Sequence, residues 1–341
     1  MYNSFRRIKL IRYLVAWRVN SSLVTLPKCF APELSYVLGT IISNRLASRD
    51  GARWQKALSP LEKHFDETLA KGRSLRHRSI VFPDGAWPVD AVFFVYPGKS
   101  IYGLGELIFW EIKLFGDGAD HGFFLEIILP AMEEAGYTSD VRWNQPSSIW
   151  GGFDIQAVYA ARGPQWEPIV SDGRLDLRYQ ASSTQWAEGL TFGSHTENAL
   201  NELRWLTPFE FEGIAQAGEP ASNEQGVDTQ YSGSFAMKAI LDQLESRLDV
   251  LAPGRRKGGR NTRDILDEEG KLVLQKAFEL AVQTPLLFND LEPAPKQCPG
   301  RWIGKHIFTP IPKEIIPCLE LASVLHIGKH THFGCGTFTL A

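Results

Sequence analysis

The residues best equipped for chemistry crowd the C-terminus: His326-Ile327-Gly328-Lys329-His330-Thr331-His332-Phe333-Gly334-Cys335-Gly336-Thr337-Phe338-Thr339-Leu340. Three glycines stand among imidazole, ammonium and hydroxyl side chains. Glycine lets backbone N–H groups converge on an anion with no Cβ in the way. Gly328, Gly334 and Gly336, with Lys329, His330, Thr331 and His332 as donors, therefore suit capture of a phosphate. The same run also suits a plain glycine-rich turn into a last strand, which the apolar alternation after Gly336 foretells. Three histidines within seven positions could ligate zinc or nickel, but Cys335 is the only companion and no carboxylate completes the set. Lys329 beside glycine lacks the GxxxxGK[ST] order of a nucleotide loop. No metal and no cofactor is expected.

A second chemical feature is cationic. Arg255, Arg256, Lys257 and Arg260, interleaved with glycine, form the densest basic patch, which fits either a polyanion or a solvated loop. The basic run Lys71–Arg78 has no apolar face and reads as a solvated loop. Net charge over the whole chain is −3, but residues 1–171 carry +2, 172–250 carry −8 and 254–341 carry +3. A polyanion would meet the two ends of the chain, and the acidic middle would face a protein partner or solvent.

Elements must hold these residues in place, and the chain is long enough for two domains, with 341 residues of which 44% are hydrophobic. Its four cysteines, Cys29, Cys298, Cys318 and Cys335, contain no CxxC pair, which fits a reducing compartment. The N-terminal apolar residues are broken by Arg12, Arg18 and Asn20, unlike a secretory signal. No run approaches the ~18 apolar residues of a membrane span. A soluble, cytoplasmic protein is expected.

Residues 8–19 read as a strand, and 33–48 as a helix whose Leu34, Val37, Leu38, Ile41, Ile42 and Leu46 share a face. A helix around Trp54–Leu69 follows, with His64 read as solvent-exposed. Strands come next at Ala91–Tyr96 and Gly105–Phe115. Asp120 can cap a helix bearing Phe123, Phe124, Ile127, Ile128, Ala131 and Met132, with Gly136 at its C′ position. A strand at Phe153–Ala160 completes the order strand, helix, strand, strand, helix, strand, which is ferredoxin-like. The second half repeats the rhythm. It has a strand at Glu202–Gly213 interrupted by Pro208, helices at 234–251 and 264–282, hairpin strands at 285–291 and 301–310, a short helix or turn near 313–323, and the final strand. The expected class is α+β, with two tandem ferredoxin-like (RRM-like) domains at 1–170 and 171–341.

With those elements in order, the chain resembles the CRISPR-associated endoribonucleases that process precursor crRNA, members of the RAMP superfamily. Leu325-His326-Ile327-Gly328-Lys329-His330-Thr331-His332-Phe333-Gly334-Cys335-Gly336 is similar to that family's C-terminal glycine-rich signature. Glu202-Leu203-Arg204-Trp205-Leu206-Thr207-Pro208-Phe209-Glu210-Phe211 resembles the strand ending in Thr-Pro that opens its second half, followed by an apolar helix containing Ser246-Arg247-Leu248. Tyr102-Gly103-Leu104-Gly105-Glu106-Leu107-Ile108-Phe109, with Leu114-Phe115-Gly116, resembles its mid-chain Gly-Glu strand and Leu-x-Gly turn. The resemblance spans roughly residues 90–340. It implies a glycine-rich loop on RNA and metal-independent cleavage of a CRISPR repeat transcript, by 2′-OH attack that leaves a 2′,3′-cyclic phosphate. The implied partners are repeat RNA or crRNA and other subunits of an effector complex.

Such cleavage needs a base for the 2′-proton, an acid for the 5′-oxygen and a cation for the phosphorane. Many members of that family place a catalytic histidine near the start of the first helix, but this chain has no histidine before His64. The matching region offers Lys28, Cys29 and Tyr36. Lys28 and Tyr36 form one candidate catalytic pair; the alternative is a solvated Lys28 and a Tyr36 at the edge of its helix's buried face. His330 and His332 form the second pair, with His330 also suited to RNA contact or loop ordering. The missing early histidine keeps a second function open, a non-catalytic RNA-binding RAMP subunit.

Overall fold

The first strand, β1 (Leu10–Val19), alternates cleanly: Ile11, Tyr13, Val15, Trp17 and Val19 are buried in one core, while Arg12, Leu14 and Arg18 point to the opposite face. The computed structural model that shows this describes residues 5, 7–70, 82–193, 199–211, 234–252 and 265–341. A short β2 (Leu23–Thr25) leads into helix α1 (Phe30–Arg45), whose N-cap is Cys29. α1 is buried on more than the one face its periodicity suggests. Helix α2 (Ser48–Ala70) covers part of it, and a Cβ at Gly39 would lie 2.8 Å from both Leu58 and the Trp87 indole, so glycine permits that close approach.

Strands β3 (Ala91–Val95), β4 (Ile101–Gly103) and β5 (Leu107–Phe115) follow. Asp120 caps the next helix, its carboxylate accepting from the Gly122 and Phe123 N–H groups. That helix runs through α3 (His121–Phe123), a π-helical turn (Phe124–Ile128) and α4 (Leu129–Gly136). Pro130 has no N–H to return to the preceding turn, which accounts for the wider spacing there. Gly136 is not the C′ residue expected from sequence: it is the last helical residue, and a Cβ there would meet the Phe153 carbonyl at 2.6 Å. Close packing on the next strand, β6 (Phe153–Arg162), is what requires glycine.

The first sheet runs β3-β5-β1-β6 and is extended by β7 (Gln165–Ser171) and β8 (Arg174–Leu175), while β2 pairs with β4 alone. In the second half, β9 (Glu202–Trp205) stops short of Pro208, after which Phe209 makes only a bridge to Trp302. Helices α5 (Ser234–Leu251) and α6 (Glu268–Ala281), strands β10 (Leu286–Pro293) and β11 (Trp302–Phe308), helix α7 (Ile316–Leu325) and strand β12 (Phe338–Leu340) complete it. This second sheet runs β10-β11-β9-β12, the same permutation of strands as β3-β5-β1-β6. All pairings in both are antiparallel. The chain is α+β, two ferredoxin-like units in tandem.

Each unit has its own apolar core, and the second core reaches into the first unit: Leu10, Val92 and Phe115 pack with α5 and α7. The junction is also charged. The Lys113 ammonium donates to the Val324 carbonyl (2.8 Å). Arg247 donates to the Leu325 carbonyl (3.2 Å), with its guanidinium 4.9 Å from the centre of the Phe115 ring. Both cations thus sit on the carbonyl end of α7, where the helix dipole favours them. Burial nonetheless pulls Lys113 down to about 7 and Arg247 to about 10.

Candidate nucleic-acid interface

The glycine-rich run leaves α7 at His326, whose φ of 59° lies in the left-handed region and turns the chain sharply. The His326 Nδ1–H is shared between the Gly334 and Cys335 carbonyls (3.1 and 3.0 Å), closing the run on itself. A Cβ at Gly334 would sit 2.4 Å from the Phe93 carbonyl, and one at Gly336 would sit 1.8 Å from that of Ile327. Both glycines also have positive φ. Packing therefore requires them, independently of any anion. Several N–H groups of the run are spent inside the protein: Gly336 donates to Pro208, Lys329 to Glu210, Gly334 to Thr331 and Ile327 to Gly336.

What the run grips is the first unit. The His332 ring is buried between the Ser35 hydroxyl on α1 (2.7 Å) and the Ala91 carbonyl at the start of β3 (2.8 Å). Such a ring is neutral, with Nδ1–H donating to Ala91 and Nε2 accepting from Ser35. Burial holds its pKa down at about 3. Phe333 is buried in the first core, and Thr331 and Cys335 are also enclosed. The segment acts as a clasp between the two units.

Its neighbour His330 is half-buried at the rim. Nδ1 lies 3.2 Å from the Pro83 carbonyl and 3.8 Å from Asp84, and Nε2 lies 3.9 Å from Glu210. Glu210 also holds the Lys329 ammonium at 3.2 Å. Residues 208–210 organise this rim, because Arg301 and Trp302 donate to the Phe209 carbonyl and Lys329 to that of Glu210.

The other wall is the N-terminal end of α1. Lys28 is exposed and precedes Cys29, which forms a disulfide with Cys298 in the β10–β11 connection, the two Cα atoms 5.3 Å apart. That connection also touches the clasp, with the Cys335 thiol donating to the Pro299 carbonyl (3.3 Å). The disulfide and the Cys335–Pro299 bond thus join the segment bearing Lys28 to the one bearing Lys296 and Arg301, and that one to the run bearing Lys329 and His330, along what we call the seam. Lys28, Lys296 and Arg301 are exposed there, and Lys329 and His330 are half-buried. Tyr36 does not reach the seam: it is buried, stacked on Phe65 (4.9 Å) and edge-on to Trp143 (5.3 Å). The structure therefore separates Lys28 from Tyr36, and His330 from His332, by burying the second member of each pair. The run's three histidines are also drawn to different partners, and no group of three or more potential metal ligands occurs among the described residues. Arg255, Arg256, Lys257, Arg260, the run at 71–78 and the His64 side chain lie outside the described residues.

Sequence reasoning missed several of these residues. Ser35, Glu210, Lys296 and Arg301 carry no local signature, and Cys29 and Cys298 are 269 positions apart. Glu33, in the first turn of α1, was also missed. Its carboxylate accepts from the Trp150 indole (2.6 Å), and burial pushes its pKa up.

Sequence comparison matches no protein-family model and no curated protein. Solved structures do match. The whole chain aligns with part of one described as "Partial Cas6-RT-Cas1--Cas2 complex", at a TM-score of 0.50 and 13% identity, covering 47% of that chain. It aligns equally with one described as "Cas6-RT-Cas1--Cas2 complex", again at a TM-score of 0.50 and 13% identity, covering 29% of that chain. The chain shares its fold with a Cas6-containing protein. It spans less than half the length of either of those chains. At this identity the likeness concerns the fold alone. A strip of cations beside a rim imidazole can hold a phosphodiester and offset charge on it. No helix among the described residues is long and apolar enough to cross a membrane.

Proposed function

We propose that this chain is a Cas6-like RAMP protein that binds CRISPR repeat RNA along the seam and cleaves it without a metal ion. The observation that carries the proposal is the joining of the segments that bear Lys28, Lys296, Arg301 and Lys329 by the glycine-rich clasp, the β10–β11 connection and the disulfide. Cations exposed on a surface, as Lys28, Lys296 and Arg301 are, favour phosphate contact over base reading. Lys329 must leave Glu210 to take part.

In the proposed reaction the 2′-oxygen forms a bond to the adjacent phosphorus and the bond to the 5′-oxygen breaks. The 2′-proton goes to a base, and an acid supplies a proton to the departing 5′-oxygen. Lys28 is proposed to offset the phosphorane charge and His330 to move a proton through Nε2, its ring steadied by Pro83. Tyr36 and His332, both enclosed, are assigned to framing α1 and the clasp rather than to proton transfer. Gly328, Thr331, Gly334 and Gly336 are assigned to shaping the clasp that presents Lys329 and His330.

The same burial of His332 and Tyr36 favours a second reading, in which the chain holds crRNA for an effector complex and does not cut it. One experiment separates the two: incubation of the purified protein with its cognate repeat RNA in EDTA. A single cut ending in a 2′,3′-cyclic phosphate supports the first reading. Tight binding with no cut supports the second, and an absolute need for Mg²⁺ rejects the proposed chemistry.

A further inference from the structure

Of the four cysteines, two are inert by position. Cys318 and Cys335 are buried, and burial raises both thiols, Cys318 to about 12. The other two are half-buried and bonded to each other. Cys29 is the N-cap of α1, a helix of 16 residues whose cap makes no side-chain hydrogen bond, so a charge on that sulfur would lie at the positive end of the helix dipole. Cys298 sits in a tight turn, its N–H donating to Pro295 (3.0 Å) after Gln297 at a φ of 77°. The bond spans the two walls of the seam, one bearing Lys28 and the other Lys296 and Arg301.

We propose that Cys29 and Cys298 are a reversible thiol–disulfide modification site that gates the seam, its co-substrate a low-molecular-weight disulfide. One cysteine thiolate attacks the small disulfide, forming a mixed disulfide and releasing one small thiolate. The second cysteine thiolate then attacks the protein sulfur of that mixed disulfide, forming the Cys29–Cys298 bond and releasing the other small thiolate. Both cysteines lose their protons, and the two electrons reside in the two small thiols. Reduction by a small dithiol reverses the exchange. While the bond stands, the first turn of α1 is held against the 294–301 connection, and a nucleic-acid strand cannot part the walls. The assignment of RNA to the seam rests on the function proposed above; the disulfide and its position do not.

The test uses the full chain equilibrated with either oxidised or reduced glutathione, with C29S and C298S beside it. Serine is a favoured N-cap, so C29S is expected to fold. Mass spectrometry of alkylated peptides should show the Cys29–Cys298 link only in oxidised wild type; no link in oxidised glutathione overturns the proposal. Repeat RNA should bind the oxidised protein about tenfold more weakly than the reduced one, within the range of ordinary site-to-site coupling. Both variants should bind at the reduced level in either buffer. Equal binding by both states with the link present overturns the gate. If no state binds RNA, the seam reading fails on its own, and hydrogen exchange at residues 29–33 and 294–301 decides the switch. Exchange that slows on oxidation in wild type but not in C29S supports it, and redox-independent exchange overturns it.

Discussion

His332 gives the sharpest quantitative test of the clasp. Its ring is buried and neutral between Ser35 and Ala91, with its pKa held at about 3 by burial. In the unfolded chain an imidazole titrates near an ordinary ~6.5. Below that value the unfolded state takes up a proton that the folded state refuses, so stability is complete above ~6.5 and is lost as pH falls toward the folded pKa. Integrated from pH 7.5 to 5.0, this one group costs about 2 kcal/mol. His332→Gln removes the titration and keeps an amide able to reach Ser35. Urea unfolding followed by tryptophan fluorescence at pH 7.5, 6.0 and 5.0 should show the variant less stable at pH 7.5. Between pH 7.5 and 5.0, however, it should lose about 2 kcal/mol less than wild type. Equal losses in both proteins would mean that the ring is protonated in the fold, and the clasp geometry would be refuted.

Other positions make independent predictions. Gly334→Ala adds a Cβ 2.4 Å from the Phe93 carbonyl at a positive φ and should cost about 2–3 kcal/mol, whereas Gly105→Ala, with open space at a positive φ, should cost about 1; thermal unfolding ranks the two, and equal costs would contradict the docking of the run on β3. Lys113 is held at about 7 in the fold against an ordinary ~10.4 when unfolded, so the unfolded state binds more protons between those values and wild-type stability should rise with pH across that window. Lys113→Met should flatten that rise in a denaturation series from pH 7 to 9.5, and an unchanged slope would place the ammonium in solvent. His306 is held at about 4 by burial beside the Trp205 indole, so His306→Gln should also reduce the acid loss, independently of His332.

The periodic elements were legible because their side chains solve one problem at a time. β1 alternates, β5 alternates, α1 carries its apolar positions at three- and four-residue steps, and the repeated strand–helix order announces the doubled unit. Pro208 correctly warned that β9 would be short. Other features answer to distant neighbours and left no local trace. The residues around Asp172–Gly193 are polar, yet β8 pairs within them at the edge of the first sheet. Gly136 looked like a helix stop and instead admits β6. The glycine-rich run offered N–H groups for an anion, but several are consumed by Pro208, Glu210 and its own carbonyls. His332 and Tyr36 had the right chemistry in the wrong environment: nothing adjacent in sequence says that α1, β3 and the residues around Phe65 enclose them. The pairing of Cys29 with Cys298 is likewise a consequence of tertiary structure alone.

Whether RNA occupies the seam decides the proposed function. Binding of repeat RNA to wild type and to a K28E/K296E/R301E variant, measured from 50 to 300 mM salt under reducing conditions, tests this directly. R174E, at the far edge of the first sheet, serves as the control. Binding in the seam predicts that the triple variant loses affinity by at least about a hundredfold and has a salt slope shallower by about two to three, while R174E matches wild type. Undiminished binding by the triple variant, or an equal loss in R174E, would contradict it.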